Sequence, residues 1–323
     1  MPAREPENIM VLPRLREPDA ALRDKNVVVV SHAPRQLEGA GFPVRRPFPS
    51  QAISWTMSDP FLLLDHMGAV EYAPGEAKGA PWHPHRGFET VTYMMDGAFR
   101  HRDSNGGGGL ITNGDTQWMT AGAGILHDEM PPDELVRTGG LFHGVQLWVN
   151  LPRRLKMTPP RYQSISADKV LLLASSDGTA IIRLIAGSLG SFQGPGVTWT
   201  PITVAHVSVT ANAQFRTTWP ASYNAMAYIL AGQGRVGADD APVAEGDGIV
   251  FGPGDTVRIR ANAQQDAPTP RLELLLLGGE PIREPIFSYG PFVMNTRSEI
   301  LQAIEDFQSG RMGHIPASQL FGD

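Results

Sequence analysis

Trp82-His83-Pro84-His85-Arg86-Gly87-Phe88-Glu89-Thr90-Val91-Thr92-Tyr93-Met94-Met95-Asp96-Gly97 is the stretch on which the reading of the fold turns. Further along, Ile125-Leu126-His127-Asp128-Glu129-Met130-Pro131 answers it. In a β-strand, residues two apart point to the same face, so His83 and His85 present their rings side by side and Glu89 keeps their parity. His127 and Glu129 repeat the arrangement on a second strand. Two strands that each offer a same-face pair can close around one metal ion with three imidazoles and a carboxylate. Such a nitrogen and oxygen shell suits a first-row transition metal, and four ligands leave room for substrate or dioxygen. Polar residues on exposed strands would account for one His-x-His, but less readily for a second His-x-Glu in matching frame. Parity alone does not choose between Glu89 and Glu129.

Outward from that stretch, the chain reads as all-β. Its 323 residues include 35 glycines and 28 prolines, and no long helical pattern dominates. Short strands joined by turns follow, and the length suits two domains at roughly 150 residues each. Cysteine is absent, so a metal must be held by nitrogen and oxygen, and a reducing compartment is the natural setting. The net charge of −6 and the lack of any lysine or arginine block exclude a duplex-binding surface. Aliphatic runs such as Val27 to Val30 and Leu274 to Leu277 are far shorter than the ~20 residues of a membrane span. Met1-Pro2-Ala3-Arg4-Glu5-Pro6-Glu7 has no apolar core and is not a secretory signal. The expectation is a cytoplasmic, monomeric protein that binds neither nucleic acid nor membrane.

Residues 1–25, with Pro2, Pro6, Pro13 and Pro18, are expected to form an extended arm that docks late or stays mobile. Val27 to Val30 should open an N-terminal domain spanning 26–165, and Lys156 to Tyr162 reads as a linker to a C-terminal domain, 166–323. His66, at the end of an apolar strand, and His143, within one, read as structural. Asn105 and Gly106 to Gly109 form a long hairpin turn; no lysine-serine/threonine pair follows to make a phosphate loop.

The second half repeats the first. Tyr228-Ile229-Leu230-Ala231-Gly232 matches Tyr93 to Gly97, and Glu245 to Gly254 matches Asn113 to Gly122. Carried across, His83, His85 and Glu89 fall on Thr218, Pro220 and Asn224, and His127 and Glu129 fall on Ile259 and Ala261. The repeat keeps the glycines and loses the ligands, so the chemistry belongs to the first half. Near the end, Thr296-Arg297-Ser298-Glu299 is a capping box ahead of Ile300, Leu301, Ile304 and Phe307, with Gly310 as C-cap.

His83 to Val91, Gln117 to Gly122 and His127 to Pro131 together resemble the pirin family of the cupin superfamily. Ser58 to His66, Gly279 to Pro285 and Tyr289 to Thr296 support the likeness, which runs from about 26 to 313. The resemblance implies two cupin jelly-roll β-barrels face to face, a short C-terminal helix, and one metal, usually iron as Fe(II), in the first barrel only. It also implies that His83, His85, His127 and Glu129 are the ligands. The sequence departs from the family pattern at Ala123, at Asp128 and in its longer front arm, and none of these changes removes a ligand.

The resemblance further implies a dioxygenase that cleaves a flavonol such as quercetin, taking a small aromatic substrate and dioxygen. A metal acting as Lewis acid would lower the pKa of the flavonol hydroxyl, and Glu129 would take the departing proton. Trp118, Met119, Phe88 and Phe142 are candidates for an apolar pocket wall. The alternative is a non-enzymatic, redox-sensing regulator that binds a transcription factor or metabolic enzyme. A purely structural metal is disfavoured, because such sites are closed and sulfur-rich.

Overall fold

The structure is a computed structural model that describes residues 5–267 and 269–315. The first four residues of the expected arm, residue 268 and the end of the chain from 316 lie outside the described residues. The chain divides into two units: Met1–Arg35 with Arg45–Leu64 and Ala167–Pro281, and Gln36–Val44 with Asp65–Ser166 and Ile282–Asp323.

Each unit is a two-sheet jelly-roll barrel, with a seven-stranded and a four-stranded sheet. In the unit carrying the His-x-His stretch, the four-stranded sheet runs Ala80–His85, Ile125–Met130, Phe99–Asp103, Gly108–Ile111. The facing sheet places Thr116–Thr120, Phe88–Asp96 and Gly140–Asn150 side by side. The other unit repeats this order with Gln214–Thr218, Thr256–Ala261, Gln233–Val236 and Ala241–Ala244 in its smaller sheet. Its larger sheet sets Asp247–Phe251, Asn224–Ala231 and Arg271–Gly279 side by side. Its core is mostly aliphatic and continuous, built on Val207, Phe215, Ile229, Ile249, Ile259, Leu274 and Leu276.

One expectation about the start of the chain needs correction. The strand Val27–His32 does not open the first barrel. It pairs antiparallel with Asp247–Phe251, and Val27 packs against the aliphatic core of the second barrel. The described part of the arm is docked on that same unit. Leu15 is buried in its core, and the backbone N–H groups of Leu15 and Ala174 donate to Ala174 O and Pro13 O, each at 2.9 Å. Arg216 then donates to Asp24 Oδ1 at 2.7 Å and to Leu22 O at 2.5 Å. Proline lacks an N–H, and the arm accordingly docks through single bridges, Arg14 to Ala174 and Asp24 to Thr256, rather than a ladder.

The C-terminal helix Arg297–Gln308 is N-capped as its sequence suggests, while its C-cap is Ser309, one residue before the expected Gly310, which follows at φ +75°. Thr296 Oγ1 accepts from the Glu299 N–H at 3.2 Å, and Glu299 Oε2 accepts from the Asn295 N–H at 3.0 Å. Its buried face differs from the expected one. Ile300, Ala303 and Ile304 pack against Phe292, Met294 and Met312; Leu301 (57 % exposed) faces outward, and the half-exposed Phe307 keeps its ring 6.4 Å from that of Phe292. Asp306 fixes the helix to the barrel by accepting from Arg86 Nη1 at 2.7 Å.

Candidate metal centre

The antiparallel register of the smaller sheet assembles the site. His127 lies directly opposite His83, and Ile125 opposite His85. On its other side, the same strand sets His127 opposite Asp103 and Glu129 opposite His101. Directly opposed residues have Cβ atoms about 4.5–5.5 Å apart, so the four-stranded sheet presents its polar groups in rows on one face. The register slips between His127 and Glu129, so that Glu129 meets Ala80. The extra residue lies around Pro81, which has no N–H to contribute to a ladder. Its carbonyl accepts from His83 Nδ1 at 2.7 Å.

His83, His85 and His127 form one cluster of possible ligand atoms, all within 4.8 Å of one another. His83 Nε2 and His85 Nε2 are 3.1 Å apart. The Nδ1 atoms of both rings face carbonyls, Pro81 O for His83 and Pro291 O, at 3.2 Å, for His85. A carbonyl only accepts, so both rings carry their proton on Nδ1 and turn the Nε2 lone pair inward. His127 Nε2 is buried without a hydrogen-bond partner among the described residues. Burial holds His85 and His127 well below the usual imidazole range, with His83 close by adding to the effect. Three imidazoles turned to one point, with one ring nitrogen otherwise unsatisfied, fit a transition-metal ion.

Glu129 is placed differently. It clusters with His127 and His101, all three fully buried, rather than with His83 and His85. Three side chains donate to its carboxylate. Thr92 Oγ1 and Gln117 Nε2 reach Oε1 at 2.9 and 2.6 Å, and Gln146 Nε2 reaches Oε2 at 2.5 Å. These donors form one row across the facing sheet, where Thr92 is opposite both Gln117 and Gln146. A carboxylate offers about four acceptor sites, so about one remains open. Glu89 lies elsewhere: it accepts from Thr120 Oγ1 at 2.6 Å, has Arg161 at 4.0 Å, and joins neither cluster.

Of the four expected wall residues, Phe88 meets the cluster edge-on, with its ring 5.0 Å from that of His85. Trp148 does too, 5.1 Å from His85 and 4.3 Å from Phe88, and its buried Nε1 has no hydrogen-bond partner. Met119 packs with Ala121 and Ile125, and Phe142 with Met67, Met94 and Phe99. Trp118 is a buried strand residue opposite Val91 and Gln163. His66 and His143 pair through their Nε2 atoms at 2.7 Å, away from the cluster. Asp128 points off the cluster face and pairs with Arg102 across the sheet. Ala123 O accepts from Arg86 Nε at 2.6 Å.

His101, Asp103, Thr92, Gln117 and Gln146 were not singled out by the sequence, although His101 and Asp103 carry the same two-apart signal as the ligands.

The second barrel shows the same scaffold without the chemistry. There Ile259 faces Phe215 and Val236, and Ala261 faces Gly234. The row matching Gln146, Thr92 and Gln117 is Leu276, Ala227 and Ile249. His83 and His85 therefore correspond to Phe215 and Thr217, not to Thr218 and Pro220. Residues 219–223 separate the second pair of strands where residues 86–87 separate the first, so a count carried back from the matching tyrosines slips by three. The conclusion that the ligands are lost stands on the corrected positions.

Comparison with known proteins agrees with this architecture. Residues 41–149 match the Pirin family model and residues 204–313 the Pirin C-terminal cupin domain. The chain belongs to the pirin family. A Pseudomonas aeruginosa protein, provisionally named a quercetin 2,3-dioxygenase, is 42 % identical over 88 % of this chain and 96 % of its own. The rat protein named pirin is 37 % identical over 90 % and 94 %. A crystal structure of quercetin 2,3-dioxygenase from Acinetobacter baumannii superposes with a TM-score of 0.82 at 38 % identity, covering 90 % of this chain and 99 % of that one. No helix among the described residues is long and apolar enough to cross a membrane.

Proposed function

We propose that this chain is a cytoplasmic metal-dependent dioxygenase that opens a flavonol such as quercetin, or a related enol-bearing aromatic. Its single metal, Fe(II), would be held by His83, His85, His127 and Glu129. The observation that carries the reading is His127 Nε2, buried without a partner beside the Nε2 atoms of His83 and His85. Names borne by similar proteins, quercetin 2,3-dioxygenase among them, support the substrate class.

Bound there, iron supplies Lewis acidity toward the enol oxygen and electrons for dioxygen chemistry. The chain supplies the rest. His83 and His85 are held by carbonyls in the tautomer that offers Nε2. Glu129 would exchange one amide partner for the metal, and Gln146, the least buried of its three donors, is the one placed to yield. With an oxygen freed, Glu129 takes the enol proton as general base. Phe88 and Trp148 supply a flat aromatic wall beside His85, and the unpaired Trp148 Nε1–H is a donor available to a substrate oxygen.

Anaerobic titration of the iron-loaded protein with quercetin, followed by air, tests the proposal. Binding should shift the flavonol absorption band, and air should bleach it with release of one carbon monoxide per flavonol. A fully iron-loaded protein that leaves the band unmoved in both stages would remove the flavonol reading and favour a regulatory partner role.

A further inference from the structure

His101 is fully buried beside the three histidines and takes no part in the proposed ligand set. We infer that Asp103 and His101 form a relay that fixes the tautomer of His127, which makes His101 a positioning residue for the metal centre. The inference rests on the metal reading of the histidine cluster.

The proton positions follow from the neighbours of His101. Its Nδ1 lies 3.3 Å from Gln117 Nε2 and 3.3 Å from His127 Nδ1. The orientation of the Gln117 amide is set by Glu129, because the same nitrogen is 2.6 Å from a carboxylate oxygen that can only accept. That nitrogen, which also lies 3.3 Å from Thr92 Oγ1, can only donate, so in its contact with His101 Nδ1 the ring nitrogen is the acceptor. The proton of a neutral His101 must then sit on Nε2, which faces Asp103 Oδ2 at 3.7 Å. That contact is electrostatic rather than a formed hydrogen bond, but a carboxylate at this range favours an N–H over a lone pair. Both ends of the ring give the same tautomer.

With His101 Nδ1 accepting, the hydrogen between the two imidazoles belongs to His127 Nδ1. A neutral His127 then has no proton on Nε2, and that lone pair joins those of His83 and His85. Metal-binding histidines commonly give their other N–H to a carboxylate or carbonyl, which orients the ring and raises its basicity. Here the carboxylate acts one imidazole further away.

The fold builds the relay deliberately. Asp103 Oδ1 accepts the backbone N–H groups of Asn105 and Gly107 at 2.7 and 2.9 Å, leaving Oδ2 for His101. A Cβ at Gly107 would lie 2.4 Å from Asp103 Oδ2, so glycine allows the turn to close over the carboxylate. Tyr162 stacks on the His101 ring at 5.1 Å and 22°. In the second barrel the corresponding pairs are Val236 with Ile259 and Gly234 with Ala261; relay and ligands are absent together.

Asp103→Asn provides the test. The two backbone N–H groups hold Oδ1, so the new amide nitrogen meets His101 Nε2 as a donor and reverses the relay. His101 then donates from Nδ1, and His127 carries its proton on Nε2, against the metal. An Asp→Asn change that keeps geometry but imposes the wrong imidazole tautomer is known to be severely damaging elsewhere. Zinc and Fe(II) affinities of the full chain, measured by chelator competition, should weaken by about 10–100-fold with unchanged circular dichroism. Nitrogen-15 NMR of histidine-labelled, metal-free wild type should show His127 protonated on Nδ1, and the folded variant should show it on Nε2. If Asp103→Asn does not fold, His101→Phe keeps the stack on Tyr162 and should weaken binding equally. Wild-type His127 protonated on Nε2, or a folded variant within twofold of wild-type affinity, would overturn the relay. A wild type that binds no metal would instead overturn the metal reading itself.

Discussion

His83 and His127 face each other as a directly opposed pair across two antiparallel strands, with ring centroids 4.3 Å apart. One hydrogen-bonding register thereby converts two local sequence patterns into a single cluster, and His85 enters it from the same face two residues on. The arrangement belongs to the backbone, so individual rings can be removed without dismantling the sheet.

His85→Ala should therefore lose metal and keep the fold. The ring is buried, but it packs against Phe88 and Trp148, which still touch each other at 4.3 Å. Metal content by elemental analysis should fall to background, with affinity down by at least ~10²-fold, more than the loss of a supporting residue costs. The β-rich circular dichroism should persist. Full retention of metal would sink the ligand assignment.

After a chelator wash and reloading, the chain should take up one transition-metal equivalent. Phe215, Ile259 and Ala261 occupy the ligand positions of the second barrel and offer no donor atoms, and Thr217 offers only a weak hydroxyl. Isothermal titration with zinc should show one tight site. A second tight site would mean that ligands outside these strands had been overlooked.

The sequence made the ligand strands legible because their signal is local: two histidines, then a histidine and a glutamate, each pair two residues apart. The helix cap and the repeated glycine turns are local in the same sense. What stayed hidden depends on pairings distant in the chain. Thr92, Gln117 and Gln146 are single polar residues on separate strands, and only the register reveals them as one row around Glu129. The strand Val27–His32 reads as the start of the first barrel because its partner, Asp247–Phe251, lies far along the chain. His101 and Asp103 show the two-apart pattern, but the glycine-rich turn directly after them makes the segment resemble a loop. Leu301 fits an apolar helical face in sequence but lies on the exposed side, while Ile300 and Ala303 pack against Phe292 and Met312.

Acid should loosen the C-terminal helix first. Burial raises the Asp306 carboxyl, but hydrogen bonds from Arg86, Gln302 and Arg311 outweigh it and bring it down to about 2. A carboxyl depressed in the folded state stabilises above its ordinary value of 3.8 and loses that contribution as pH falls through about 2. Wild-type stability should therefore decline steeply from about pH 4 toward 2, and Asp306→Asn should flatten that decline. At neutral pH the same variant leaves the buried Arg86 guanidinium without its charged partner. It should cost about 1.5–3 kcal/mol, the scale of a hydrogen bond to a charged group. Denaturant melts across pH give both numbers, and parallel curves for the two proteins would refute the assignment.

The comparison of Glu129→Gln with Glu89→Gln separates the two carboxylates that parity left equivalent. Glu89 accepts from Thr120 and faces Arg161, outside both clusters, so its amide variant should keep metal and turnover within a fewfold of wild type. Glu129 is surrounded by three donors. An amide there sets one NH₂ against them, and Gln117 or Gln146 must rotate its own amide to offer an oxygen. The variant should still bind metal weakly through three histidines, with somewhat lower stability. At matched metal occupancy it should lose flavonol cleavage by about 10²-fold or more, the usual scale for removing a general base. Stopped-flow mixing with anaerobic quercetin locates the loss: a base acts on the enol proton, so the absorption shift on binding should slow before any oxygen is added. Equal turnover of wild type and Glu129→Gln at equal metal content would defeat the base assignment. A larger loss in Glu89→Gln would transfer the role to the carboxylate that this structure leaves outside the cluster.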